Sequence, residues 1–83
     1  SRKVYDSLVA IYQARQAVAL AQAAGADEHA SDTLEKARTR LADAESYYGK
    51  QPKNPAVATL AREAAQMAED ARLIALRARP GDE

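Results

Sequence analysis

Val4, Leu8, Ile11, Ala14, Val18 and Ala21 recur three or four residues apart, with Tyr5, Val9 and Tyr12 beside them. That spacing puts side chains on one face of an α-helix. A second stripe, Leu34, Ala37, Leu41, Ala44 and Tyr48, repeats the pattern. A third, Val57, Leu60, Ala64, Met67, Ala71, Ile74 and Ala78, keeps a strict seven-residue repeat. Such a repeat favours shallow, left-handed helix crossing. Between the stripes lie helix breakers. Gly25 and Gly49 suit the left-handed residue that ends a helix. In "GKQPKNPAV", Asn54 can cap a helix whose first position is Pro55. Pro80-Gly81 stops the last segment. The pattern predicts helices over 2–24, 31–48 and 55–79. Short connections make neighbours antiparallel, so the predicted fold is an all-α, up-down-up three-helix bundle.

Composition changes the picture in two ways. The chain of 83 residues has 21 alanines, four tyrosines and no Phe, Trp or Cys. That length suits one small domain, residues 1–83. Alanine at the seams lets helix axes approach near the lower end of the usual ~8–10 Å range. It also buries little area per residue, so the core is thin and gains from a neighbouring domain or a second copy. At ~1.5 Å per residue the bundle should be about 30–35 Å long. The start Ser1-Arg2-Lys3, without Met, reads as a piece excised from a longer protein.

Twelve basic and twelve acidic side chains are mixed along the chain. A nucleic-acid partner would call for a basic excess, so none is expected. Without cysteine there is no disulfide and no thiolate metal site. No segment approaches the ~20 apolar residues of a membrane span, so any anchor would lie upstream. "LIALRARP" is basic and amphipathic, but it reads better as the core and rim of a packed helix than as a membrane contact.

Candidate chemistry is sparse. His29 sits among Asp27, Glu28 and Asp32, but a zinc site needs three converging ligands and there is no second histidine. The acids suit the positive end of the second helix better, with Ser31 or Asp32 as cap and Glu35 closing a capping box. Neither a Gly-rich phosphate loop nor a nucleophile–base pair can be assembled, so no cofactor, metal or catalytic site is expected and the chain reads as a non-enzyme. Two surfaces stand out. Leu20, Leu73 and Leu76 lie off the main stripes near the C-terminal ends of the first and third helices. They either close that end of the bundle or offer a patch to a partner or a second copy. Tyr5, Tyr47 and Tyr48 should share the opposite end, either packing their rings or presenting them to a ligand.

"AGADEHASDTLEKARTRLADAE" (24–45), followed by "AVATLAREAAQMAEDARLIALRA" (56–78), resembles an uncharacterised alanine-rich helical domain of bacterial envelope lipoproteins. That domain is often found ahead of an OmpA-like peptidoglycan-binding domain. Ala24-Gly25-Ala26 and Leu34, Ala37, Leu41 and Ala44 carry the likeness. His29 and Ser31 depart from it, standing where the family has an aromatic and a proline. The resemblance implies a periplasmic or outer-membrane-associated location near the cell wall, and it brings no catalytic residues. The expected function is therefore a structural or interaction module: a spacer, adaptor or oligomerisation bundle acting on a protein partner or on itself. A module binding glycan or peptide at its tyrosine end is the alternative.

Overall fold

The computed structural model describes residues 1–80. It contains α1 (Arg2–Ala23), α2 (Ala26–His29), α3 (Ser31–Lys50) and α4 (Ala56–Ala78). Gly81, expected to help stop the last helix, lies outside the described residues. The three long helices form the expected up-down-up bundle. α1 and α4 run in the same direction and α3 runs against both. At one end Val18 and Ala21 meet Leu34, Ala37, Ala71 and Ala75. At the other, Ala10, Ile11 and Ala14 meet Ala44, Val57 and Ala61. α4 packs extensively on both α1 and α3, which touch each other much less.

That central position explains the residues of α4. Its buried side chains are Val57, Ala61, Ala64, Ala68, Ala71 and Ala75. Their 4-3-4-3-4 spacing is the seven-residue repeat of the sequence, but in a shifted phase. Leu60 and Met67, expected in the seam, are half-buried at its edge, and Ile74 is exposed. A helix clasped from two sides needs its narrowest residues at the line of closest approach. Longer side chains can then reach over the flanks. α1 shows the same correction: Ser7 and Ala10 are buried, whereas Leu8 is exposed.

The connections differ from expectation in chemistry more than in place. Gly25 is left-handed, with φ 96°, and ends α1 as predicted. It also launches the short helix α2, which the sequence pattern did not reveal. His29 N donates to Gly25 O at 3.0 Å, Ala30 N to Ala26 O at 2.9 Å, and Leu34 N to Ala30 O at 2.9 Å. These are ordinary helix bonds, and the Leu34 N–Ala30 O contact opens α3. Neither Ser31 nor Asp32 caps α3, and no Asp32–Glu35 capping box forms. Glu35 lies 3.8 Å from Arg38 instead.

Gly49 is not a stop. α3 runs through it to Lys50, and Gln51 takes φ −143° just before Pro52, which has no N–H to extend a helix. Asn54 does cap α4. Its Oδ1 accepts from Ala56 N at 2.9 Å, and Pro55 follows at φ −62°.

The molecule measures 48 × 19 × 14 Å, longer than the expected 30–35 Å. No single helix exceeds about 35 Å, so the connections at the two ends supply the rest. One exposed ion pair joins α3 to each of the other two long helices. Arg15 Nε donates to Glu45 Oε2 at 2.7 Å between α1 and α3, and Arg40 Nε to Glu63 Oε1 at 3.3 Å between α3 and α4. Arg38 Nη2 holds the α2 corner through Asp27 Oδ1 at 3.0 Å. Exposed pairs of this kind each contribute about 0–1 kcal/mol, so they set register more than they stabilise.

Candidate functional site

Because α1 and α4 are parallel, their N-termini open a cleft at one end and their C-termini carry leucines at the other. The sequence-predicted surface residues lie toward these two ends of the bundle. Leu20 is 58% exposed and Leu73 is just beyond half-buried, at 37%. Leu76 is different: it is half-buried against the cluster of Val18, Ala21, Ala71 and Ala75. The two readings of these leucines therefore divide between them. Leu76 closes the bundle end, while Leu20 and Leu73 present apolar surface to water. Immediately before Leu73, Arg72 grips Glu69 with two hydrogen bonds, Nε to Oε2 at 3.0 Å and Nη2 to Oε1 at 2.8 Å. That grip holds the Glu69 carboxyl below its ordinary value and raises Arg72 in turn.

The tyrosines share an end of the bundle but not a hollow. Tyr5, with Val9 and Gln13 of α1, lines a shallow hollow that Arg62 of α4 completes. Tyr47 lines another with Asp43, Ser46 and Lys50, all from α3. Tyr48 is half-buried and packs on the core cluster of Ile11, Ala44 and Val57. The phase of α3 separates the last two, because adjacent residues on a helix point about 100° apart. Of Tyr5, Tyr47 and Tyr48, only Tyr5 and Tyr47 are open to a ligand, each on its own side.

His29 lies in the corner with Ser31, Asp32 and Ile74 around it, its Nε2 3.7 Å from Glu28 Oε2. Among the described residues no three His, Cys, Asp or Glu side chains are grouped to hold a metal ion. Asp27 is spoken for by Arg38. What gathers here is the start of two helices, with Asp27 and Glu28 in the first turn of α2 and Asp32 in that of α3.

Two features were not singled out from sequence. Lys3, Lys53 and Arg62 line one cleft of about 220 Å³ with Asp6 as its acid. They come from three separate stretches, and only the parallel pairing of α1 with α4 unites them. The second feature is the outer face of α1, where Tyr5, Leu8 and Tyr12 are all exposed. Its signal was present in Tyr5 and Tyr12, which flank the predicted stripe, whereas Leu8 was placed in the stripe itself. These surfaces offer contact area, rings and charge; among the described helices none is long and apolar enough to cross a membrane.

A family model described as a domain of unknown function, DUF4398, matches residues 9–80. Comparison with curated proteins and with solved structures gave no match. The resemblance read from the alanine-rich stretches thus holds as likeness to a helical family of unknown function.

Proposed function

The chain belongs to the DUF4398 family, and from that premise we propose that it is a non-catalytic interaction module, a spacer, adaptor or oligomerisation bundle, of a bacterial cell-envelope protein. The observation that carries this reading is the exposure of Leu20 and Leu73 at the shared end of α1 and α4. The bundle already closes that end with Leu76, Val18 and the alanines. The two exposed leucines add little to folding and are available to a partner. Support for the envelope setting is the likeness of residues 24–45 and 56–78 to helical domains of envelope lipoproteins; the periplasm or the outer membrane is the proposed location, near the cell wall.

The test is the size of the assembly containing the full-length protein after gentle solubilisation of the envelope. The native protein should migrate in a complex, and a Leu20→Glu/Leu73→Glu variant should migrate alone with unchanged helicity. Migration of both forms in the same complex would remove these leucines from the interface. A second reading is favoured by the Tyr5 hollow, whose Gln13 and Arg62 could bind glycan hydroxyls or a peptide carboxylate. Sedimentation of the isolated domain with purified cell wall, lost in Tyr5→Ala, would support it. Absence of co-sedimentation would leave the protein-partner reading.

A further inference from the structure

Tyr5, Val9, Tyr12, Gln16, Ala19 and Ala23 follow one another at intervals of 4, 3, 4, 3 and 4 residues. This is a second seven-residue seam on α1, on the face opposite the buried one. Val9 is half-buried and the other five are exposed. The seam carries no charge, and Gln16 is its single amide. A helix with apolar residues on both faces belongs between two partners, and in this fold α1 is covered on one side only.

We propose that the outer seam of α1 pairs antiparallel with the same seam of a second copy of this chain. The proposal rests on the interaction-module reading and gives that module a partner on a face separate from Leu73. The distribution of side-chain size argues for it. The bulky residues, Tyr5, Val9 and Tyr12, fill the first half of the seam, and Gln16, Ala19 and Ala23 fill the second. Antiparallel pairing about a two-fold axis at residue 14 places Tyr5 over the second copy's Ala23, Val9 over its Ala19, and Tyr12 over its Gln16. Every large side chain then meets a small or flexible one. The Tyr12 hydroxyl comes opposite the Gln16 amide, so the one polar residue of the seam gains a hydrogen-bonding partner. Parallel pairing would set Tyr5 and Tyr12 against themselves, and the axes would splay away from the alanines. Antiparallel macrodipoles also attract. The two-fold contact is self-complementary and closes at two copies.

The seam spans about 27 Å at ~1.5 Å per residue and is about 10 Å wide. Two such faces, about 270 Å² each in outline, give on the order of 500 Å², below the ~1,000 Å² of a stable specific interface. The pair is therefore weak and forms only at high protein concentration.

Sedimentation equilibrium of the 83-residue chain from about 10 µM to about 1 mM tests this. The native chain should rise from monomer to dimer mass. Val9→Glu and Ala19→Lys should each weaken the dimer more than about tenfold, because each puts a charge into the apolar contact. The double variant V9E/A19K should regain it, since this register sets the new carboxylate at position 9 against the new amine at position 19. A parallel register would oppose like charges and keep the double variant monomeric. Circular dichroism checks that each variant stays helical. A native chain that remains monomeric at the highest concentration overturns the proposal, as does a Val9→Glu chain that dimerises like the native one or a double variant that does not recover. Leu20 and Leu73 are untouched in these variants, so failure here is separable from failure of the envelope complex.

Discussion

Replacing Leu34 by alanine should remove a large part of the stability of this domain. Leu34 and Val57 are the largest side chains that are fully buried. Leu34 occupies the junction where Val18, Ala21, Ala30, Ala37 and Ala71 converge. Truncation to alanine deletes three carbons, worth about 2.4 kcal/mol at ~0.8 kcal/mol each. A cavity penalty adds to this, because the walls are mostly alanine methyls fixed to helix backbones and cannot swing in to fill the hole. The total should be about 3–4 kcal/mol, within the range seen for buried leucines. A chain of 83 residues has about 4–12 kcal/mol in all, and an alanine core places it toward the lower figure. The melting midpoint should therefore fall by about 12–30 °C. Urea unfolding followed by circular dichroism at the helical minimum gives the free energy directly. Leu20→Ala, at a 58% exposed site, serves as control and should change it by less than about 0.5 kcal/mol. A Leu34→Ala loss under about 1 kcal/mol, or an equal loss in the control, would refute this description of the core.

Further outcomes follow from the backbone and the surface. Gly25→Ala should cost about 1–2 kcal/mol, because φ is +96° there. Gly49→Ala should stabilise by about 0.5–1 kcal/mol, since that glycine is helical and nothing lies within 4 Å of an added Cβ. Thermal melts of the two variants should therefore move in opposite directions. The Arg72 hydrogen bonds lower the Glu69 carboxyl below its unfolded value, so the contact stabilises above the usual carboxylate range and is lost as pH falls through the lowered value. An NMR titration of the Glu69 carboxyl should show that depression in the native chain and its disappearance in Arg72→Ala. An ordinary value in the native chain would refute it.

Much of the fold was legible because helical period survives a poor alphabet. Leu34, Ala37 and Ala44 were placed in the core of α3 by spacing alone, and they are buried. The phase of α4 was not legible. Ranking by hydrophobicity put Leu60, Met67 and Ile74 in the seam, but the two-sided packing of α4 selects for narrowness and buries Ala61, Ala68 and Ala75. No single-helix pattern shows that a helix will be clasped twice. Gly49 misled because a glycine can end a helix but does not have to, whereas Pro52 cannot continue one. At the corner, α3 starts from Ala30 with no side-chain cap, so the capping expected of Ser31 and Asp32 is not made. For the candidate surfaces, spacing placed Leu20 and Leu73 off the core stripes. It could not show that Tyr5 and Tyr47 open onto different hollows, because that depends on how α1 and α3 are rotated about their axes.

The most direct measurement is site-specific photo-crosslinking in living bacteria, with a photoreactive residue at position 73 of the full-length protein and at position 36 as reference. Lys36 is exposed on α3 at the same end of the bundle, in a polar hollow with Asp32, Glu35 and Arg40 that neither Leu20 nor Leu73 lines. A discrete crosslinked partner band from position 73, with little from position 36, is the predicted result. Equal yields at the two positions, or none from position 73, would contradict the assignment of the exposed leucines as the contact surface.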